Sequence, residues 1–447
     1  MKKHALRVGP ASLLVFSLGL VLPGAAAAAS CAPQIEGPVP VTATSKPYSK
    51  VDLPDAGATE EEFFLSCDVT AGHYKTLIHV NLPKAAGSGI VVVEPWHPGD
   101  LWPLYAKVSE YEARAGHVHV VVVGNPFLLD TAIKKQNPAR YGSLTIPGTG
   151  ARSVAQTPAG QTAEFEILAQ VGAFIKSGGL PGVKARKVIL GGMSQTGGVT
   201  RAYIAWEHPG PGAKSVYDGY FPEQAAGGSY KTPIPDLDVP VVELQGEREM
   251  MVSLNHELVP IPYRRADGPL YRLYEVPGMP HVATRGRPEG GGTNCSGHTH
   301  TDFPTFYVYG ATLKNLINWV DKGIAAPHVA RIKTEVGGRE IMRDGSGNAL
   351  GGYRTSYVDV PKATYHATWG DYYLMADGKP SDAAAQRCDK MGWIAPLSSE
   401  RLKKLYPTHA DYVSKVGKSL DGLVKAKLML PEDAKDLRDE ANQAKIP

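Results

Sequence analysis

Residues 187–199 read Lys-Val-Ile-Leu-Gly-Gly-Met-Ser-Gln-Thr-Gly-Gly-Val, and their reading decides the fold. Lys187 to Leu190 has the β-branched, apolar character of a short buried strand. Val199 to Glu207 continues as a helix that stops before Pro209. Between them a glycine-rich passage lifts Ser194 onto a sharp strand-to-helix turn. A serine so placed is a nucleophile candidate, held exposed in strained backbone geometry. The turn demands a small residue two positions before the serine, and Gly192 meets that demand. Position 196 is Thr where Gly would be usual. The plainer reading makes Ser194 the cap of the following helix. Its position between a strand and a helix favours the elbow.

Outward from the elbow, strands and helices alternate. Thr76–Leu82, Gly89–Glu94, Val118–Val123, Val239–Gln245 and Tyr271–Val276 are predicted strands. Leu101–Ala115, residues 161–177 and Ala311–Lys322 are predicted helices. The second carries Phe165, Leu168, Val171 and Ile175 on one face. Continuous β-branched runs such as GIVVVE predict strands covered on both faces. The alternation predicts an α/β architecture with a doubly wound, mainly parallel sheet. Residues 30–70 read as a leading segment and loops. After Pro327 the character changes to Gly-Gly pairs and short mixed strands, then to a helical stretch over residues 398–445. The expected organisation is a signal peptide over 1–29, a core over 30–328 and a C-terminal helical addition over 329–447, packed on the core.

A nucleophilic serine needs a base, and the base needs an acid to orient it. After the strand VPVVELQ comes Gly246-Glu247-Arg248-Glu249. Glu249 is the expected acid, on the view that Gly246 opens a turn, and Glu247 is held in reserve. Among fourteen histidines, His281 follows the strand YRLYEV through the rigid turn Pro277-Gly278-Met279-Pro280. It is the expected base. The backbone N–H of Gln195 is one expected oxyanion donor. Because Pro95 has no N–H, Trp96 is the expected second, with His97 as the alternative. His117 and His119 share a strand face and read as packing residues. Cys295, His298, His300 and Asp302 cluster in GGTNCSGHTHTDF and read as a polar loop, with no metal expected. Gly286 to Gly292 reads as a loop beside His281.

Composition excludes several classes. Net charge is +3, and Lys2, Lys3 and Arg7 supply it; without them 44 basic side chains face 44 acidic ones, so a nucleic-acid partner is not expected. Those three residues precede the apolar run Ala11–Leu22, the break at Pro23-Gly24 and the small residues Ala25–Ala29, the pattern of a cleaved export signal. No other run reaches the ~18 apolar residues of a membrane span. The expected location is secreted or periplasmic. Cys31 raises lipoprotein anchoring as an alternative, which Ala28 disfavours. In an oxidising compartment Cys31, Cys67, Cys295 and Cys388 are expected in disulfides. Cys31–Cys67 with Cys295–Cys388 is the favoured pairing.

Several passages together resemble the α/β-hydrolase-domain proteins of the family-ten type. They are Val92-Val93-Glu94, Asn137-Pro138-Ala139-Arg140-Tyr141-Gly142-Ser143-Leu144, Ser194-Gln195-Thr196-Gly197, Leu350-Gly351-Gly352-Tyr353-Arg354 with Val360-Pro361, and Leu397 to Tyr406. The resemblance runs from about residue 60 to the end, and the passage around Arg140-Tyr141 is the most specific. It implies an α/β-hydrolase fold, a serine hydrolase activity and a tail that belongs to the same unit. Thr196, where Ser is common in that family, is a departure. The resulting expectation is a carboxylic ester hydrolase that uses no cofactor and acts on a small-molecule or polymeric ester. An amidase or peptidase would use the same three residues, and a binding protein of that fold would carry them idle.

Overall fold

The computed structural model describes residues 31–43, 45–48, 58–98, 102–148, 162–208, 212, 215–225, 234–255, 261, 263–282, 285, 299–368 and 390–446. Among these, nine strands form one sheet: β1 (Gln34–Glu36), β2 (Ala58–Val69), β3 (Gly72–Pro83), β4 (Ile90–Pro95), β5 (Val118–Val122), β6 (Lys187–Met193), β7 (Gly219–Glu223), β8 (Val241–Gly246) and β9 (Tyr271–Val276). Their spatial order is β1-β2-β3-β5-β4-β6-β7-β8-β9. Pairings from β1 to β5 through β2 and β3 are antiparallel, and those from β5 through β4 to β9 are parallel.

The sheet is covered on both faces, as the unbroken β-branched runs require. Ile90, Val92 and Ile189 pack with Leu104 and Val108 of α1 (Pro103–Ala115). Their strand neighbours Val91, Val93, Val188 and Leu190 face the other way, against Phe165 and Leu168 of α2 (Thr162–Lys176) and Val199 and Tyr203 of α3 (Gln195–Glu207). The period of two along each strand thus divides one apolar run between two cores.

Three strands of this sheet were not expected: β1 and β2, in the segment read as loops, and β7. The first half of β2 is Ala-Thr-Glu-Glu-Glu, which has no apolar pattern; its register with β3, Ala58 opposite Pro83 through Val69 opposite Gly72, makes it a strand. β7 is Gly-Tyr-Phe-Pro-Glu, with two residues that weaken strands, yet all five are buried between β6 and β8. Gly246 to Glu249, read as a turn, instead leads into helix α4 (Glu247–Asn255). Helix α5 (Thr305–Lys322) starts before the expected Ala311.

Beyond residue 328 the chain runs back along β9. Isolated bridges Ile332–Gly351, Thr334–Ile341 and Arg343–Ala349 make an arm. Tyr353 N–H donates to Glu275 O at 2.7 Å and Ile332 N–H to Glu275 Oε2 at 2.8 Å. A small sheet of β10 (Thr299–His300), β11 (Ala363–His366) and β12 (Trp393–Pro396) follows. Helices α6 (Ser399–Leu405), α7 (His409–Lys425) and α8 (Pro431–Gln443) close the chain. A capping box between Thr408 and Asp411 starts α7. Leu420 of α7 and Leu437 of α8 join the same apolar cluster as Leu104 and Val308.

Cys31 and Cys67 form a disulfide, with Cα atoms 5.9 Å apart, that ties the leading segment to β2. Cys295 and Cys388 lie outside the described residues. Arg140 binds the same leading segment, donating to Pro40 O at 2.7 Å, Ser45 Oγ at 2.9 Å and Glu62 Oε2 at 2.7 Å. Among the described residues, no helix is long and apolar enough to cross a membrane.

Candidate active site

β6 delivers Ser194 to the C-terminal edge of the parallel strands. Ser194 has φ 61° and ψ −120°, a region that side chains larger than glycine's rarely occupy. Such a conformation costs on the order of 1–3 kcal/mol and persists where its surroundings impose it. Here Ser194 N–H donates to Glu223 O at 2.9 Å, and Ser194 O accepts from Gly198 N–H at 3.0 Å. A Cβ on Gly192 would lie 2.3 Å from Thr196 O, so glycine is required there by close approach alone. α3 begins at Gln195, earlier than its apolar spacing indicated.

Glu249 stands in the first turn of α4 and is fully buried. Its Oε2 accepts Gly246 N–H and Gln224 Nε2, each at 3.0 Å. Its Oε1 meets His281 Nδ1 at 2.6 Å. His281 Nε2 lies 2.8 Å from Ser194 Oγ. The three residues expected from the sequence therefore form one hydrogen-bonded chain. Burial would raise the Glu249 pKa, but His281, Arg248 and Gln224 outweigh it and hold the carboxyl below its ordinary range. Burial depresses His281 to about 4, assisted by Arg248 and Lys390 and opposed by Glu249. The resting state is a carboxylate beside a neutral imidazole. A carboxylate only accepts, so Nδ1 carries the proton and Nε2 presents a lone pair to the Ser194 hydroxyl.

Glu247, the reserve acid, does not reach His281. Its Oε2 accepts Gly278 N–H at 2.7 Å and its Oε1 accepts Arg343 Nη2 at 2.8 Å. A helical first turn separates the two carboxylates more completely than a strand would.

Gln195 occupies the first position of α3, where helix N–H groups point outward along the axis, as an oxyanion donor must. Trp96 does not match its expected role. Its N–H donates to Val122 O at 2.7 Å, as β4 keeps its ladder with β5 one residue past the proline. The Trp96 ring is buried instead, edge-on to Tyr48 at 5.1 Å and to Trp102 at 5.2 Å. The next N–H along this loop is that of His97.

Two supports had no signal in the sequence. Gln224, at φ 45°, donates to Glu249 and to Pro280 O and accepts from Tyr309. Its role depends on three segments far apart in the chain. His119 is not a mere packing residue: Nδ1 meets Glu112 at 3.0 Å and Nε2 meets Glu94 at 3.1 Å. Burial opposes its charge, yet Glu112 and Glu94 push its pKa up to about 9. Glu94 also accepts Leu104 N–H at 2.8 Å and Tyr105 N–H at 3.0 Å, fixing the start of α1. Of the polar loop, Asp302 pairs with Lys362 at 3.0 Å and His300 lies in β10 opposite Trp393. Cys295, His298 and residues 286–292 lie outside the described residues.

The family described as alpha/beta hydrolase domain matches residues 35–439 of this chain. Solved structures with a similar arrangement include a serine hydrolase without lid from Xanthomonas campestris, 13% identical, over 50% of this chain and 86% of that one, with a TM-score of 0.27. A putative dienelactone hydrolase from Klebsiella pneumoniae is 13% identical over 55% and 92%, with a TM-score of 0.29. A glucuronoyl esterase from Caldicellulosiruptor kristjansonii is 12% identical over 39% and 45%, with a TM-score of 0.25. No curated protein matches.

Proposed function

The chain belongs to the alpha/beta hydrolase domain family, and from that premise we propose that it is an exported serine hydrolase of carboxylic esters. The observation that carries the reading is the unbroken chain Ser194 Oγ–His281–Glu249, at 2.8 Å and 2.6 Å, on a residue with positive φ. Ser194 attacks the acyl carbon as His281 Nε2 takes its proton. Glu249 keeps the imidazole in the required tautomer and favours the imidazolium formed. The Gln195 N–H, with a second donor from the His97 segment, receives the oxyanion. His281 returns the proton to the leaving alcohol. Water, activated by the same imidazole, then releases the acid from the acyl-enzyme. Every proton in this cycle is carried by the three side chains or by water, so the reading assigns no cofactor. The Cys31–Cys67 disulfide supports export, since such bonds persist in oxidising compartments. The substrate is a small-molecule or polymeric ester.

A fluorophosphonate should label Ser194, and Ser194→Ala should lower turnover of nitrophenyl esters by about 10⁶ in a folded protein. A folded Ser194→Ala variant within tenfold of wild type would overturn the assignment. Nitrophenyl anilides in the same assay separate an esterase from an amidase.

A further inference from the structure

The turn that carries His281 leaves the sheet at its last strand, and side chains of the core anchor it. Gln224 Nε2 donates to Pro280 O at 2.9 Å, and Glu247 Oε2 accepts Gly278 N–H at 2.7 Å. Residues beyond 328 hold its two flanks. Tyr353 N–H donates to Glu275 O at 2.7 Å, and Lys390 O accepts Val282 N–H at 2.8 Å. Gly278 has φ 74°, and a Cβ there would lie 2.9 Å from Tyr365 Cβ. The C-terminal residues thus close directly on the turn.

Glu247 joins these two sets. It is fully buried, in the same helical turn as Glu249. One oxygen holds the Gly278 N–H, three residues before His281. The other holds Arg343, which sits in the arm between residues 331 and 351 and donates also to Gly347 O at 3.1 Å. One carboxylate therefore links helix α4, the His281 turn and the arm. A buried carboxylate deprived of its cation is costly, and it turns toward other partners. That movement slackens the anchor on Gly278.

We propose that Glu247 and Arg343 are positioning residues, through which the C-terminal extension sets His281 against Ser194 and Glu249. This rests on the reading of His281 as the general base. The imidazole must satisfy both partners at once, and a misplacement of about 1 Å can cost on the order of 10²-fold in rate.

The test uses the full chain and nitrophenyl ester hydrolysis. Arg343→Met should lower kcat by about 10- to 100-fold with KM held within about twofold, and should slow fluorophosphonate labelling of Ser194 by the same factor. Arg343→Lys should recover most of the loss. Glu247→Gln should behave like Arg343→Met, and the double variant should be no worse than either, as expected of residues acting as a pair. Arg438→Ala, which breaks the surface pair with Asp421, is the control and should leave kcat unchanged. Wild-type kcat in folded Arg343→Met and Glu247→Gln would overturn the proposal, as would a rise in KM alone. Either result would leave the Ser194 assignment standing, because that depends on Ser194→Ala. Should Arg343→Met fail to fold, the isosteric Glu247→Gln decides on the same readings.

Discussion

Thr196 Oγ1 accepts the Met193 N–H at 3.0 Å and donates to the Met193 carbonyl at 2.9 Å. The residue that departs from the usual elbow pattern is thus a clasp across it, closing the chain around Ser194. Thr196→Val keeps the shape and removes both hydrogen bonds. Leaving the buried Met193 N–H unsatisfied costs about 1–3 kcal/mol. The expected outcome is an unfolding free energy lowered by that amount in urea melts and slower fluorophosphonate labelling, with Thr196→Ser close to wild type. Equal stability and labelling in Thr196→Val would show that the clasp is dispensable.

Glu249→Gln keeps the volume and removes the charge. An amide nitrogen at either oxygen's place would face a donor, since Oε2 receives Gly246 N–H and Gln224 Nε2 while Oε1 receives His281 Nδ1. Turnover should fall by about 10³ to 10⁴. Near-wild-type turnover would move the acid to another residue.

The pH profile follows from the groups around His281. Burial, with Arg248 and Lys390, depresses its pKa to about 4 against the pull of Glu249. Catalysis requires the neutral imidazole, so kcat/KM should be level at neutral pH and fall only as pH drops toward that value. An enzyme with an ordinary imidazole, at about 6.5, would already have lost half its activity at that pH. A half-loss at pH 6.5 or above would contradict the depressed pKa.

The Cys31–Cys67 bond closes a loop with a sequence separation of 36. Loops of this size contribute about 2–4 kcal/mol, chiefly by constraining the unfolded chain. Cys67→Ser should lower stability by that amount in urea melts and open residues 31–48 to proteolysis. Unchanged melts and digestion patterns would show that Arg140 alone suffices to hold the segment.

The elbow was legible because three local signals coincide there: a β-branched strand, a small residue at 192 and a helix directly after. Glu249 and His281 were legible from their order after successive strands, not from any local turn signal. What escaped depends on distant partners. β7 carries Gly219 and Pro222, which argue against a strand until β6 and β8 flank it. Glu94 lies in another strand, and Glu112 sits in α1 across the turn that leads into β5, so no period within one element pairs either with His119. Trp96 was chosen because Pro95 lacks an N–H, but the ladder with Val122 extends past the proline and takes the next donor. The turn at Gly246 was read from one glycine, whereas EREMMVSLN has the residues of a helix.

β9 ends the sheet, and an end strand offers its outer N–H and C=O groups to any other strand that arrives. At the opposite end the hazard is small, because β1 is only three residues long. At β9 the outer rim is occupied by this chain's own later residues: Tyr353 N–H takes the Glu275 carbonyl, and a Cβ on Gly352 would lie 2.6 Å from that same oxygen. The residues that pack beside the His281 turn therefore leave β9 no open length at Glu275 for the strand of another copy.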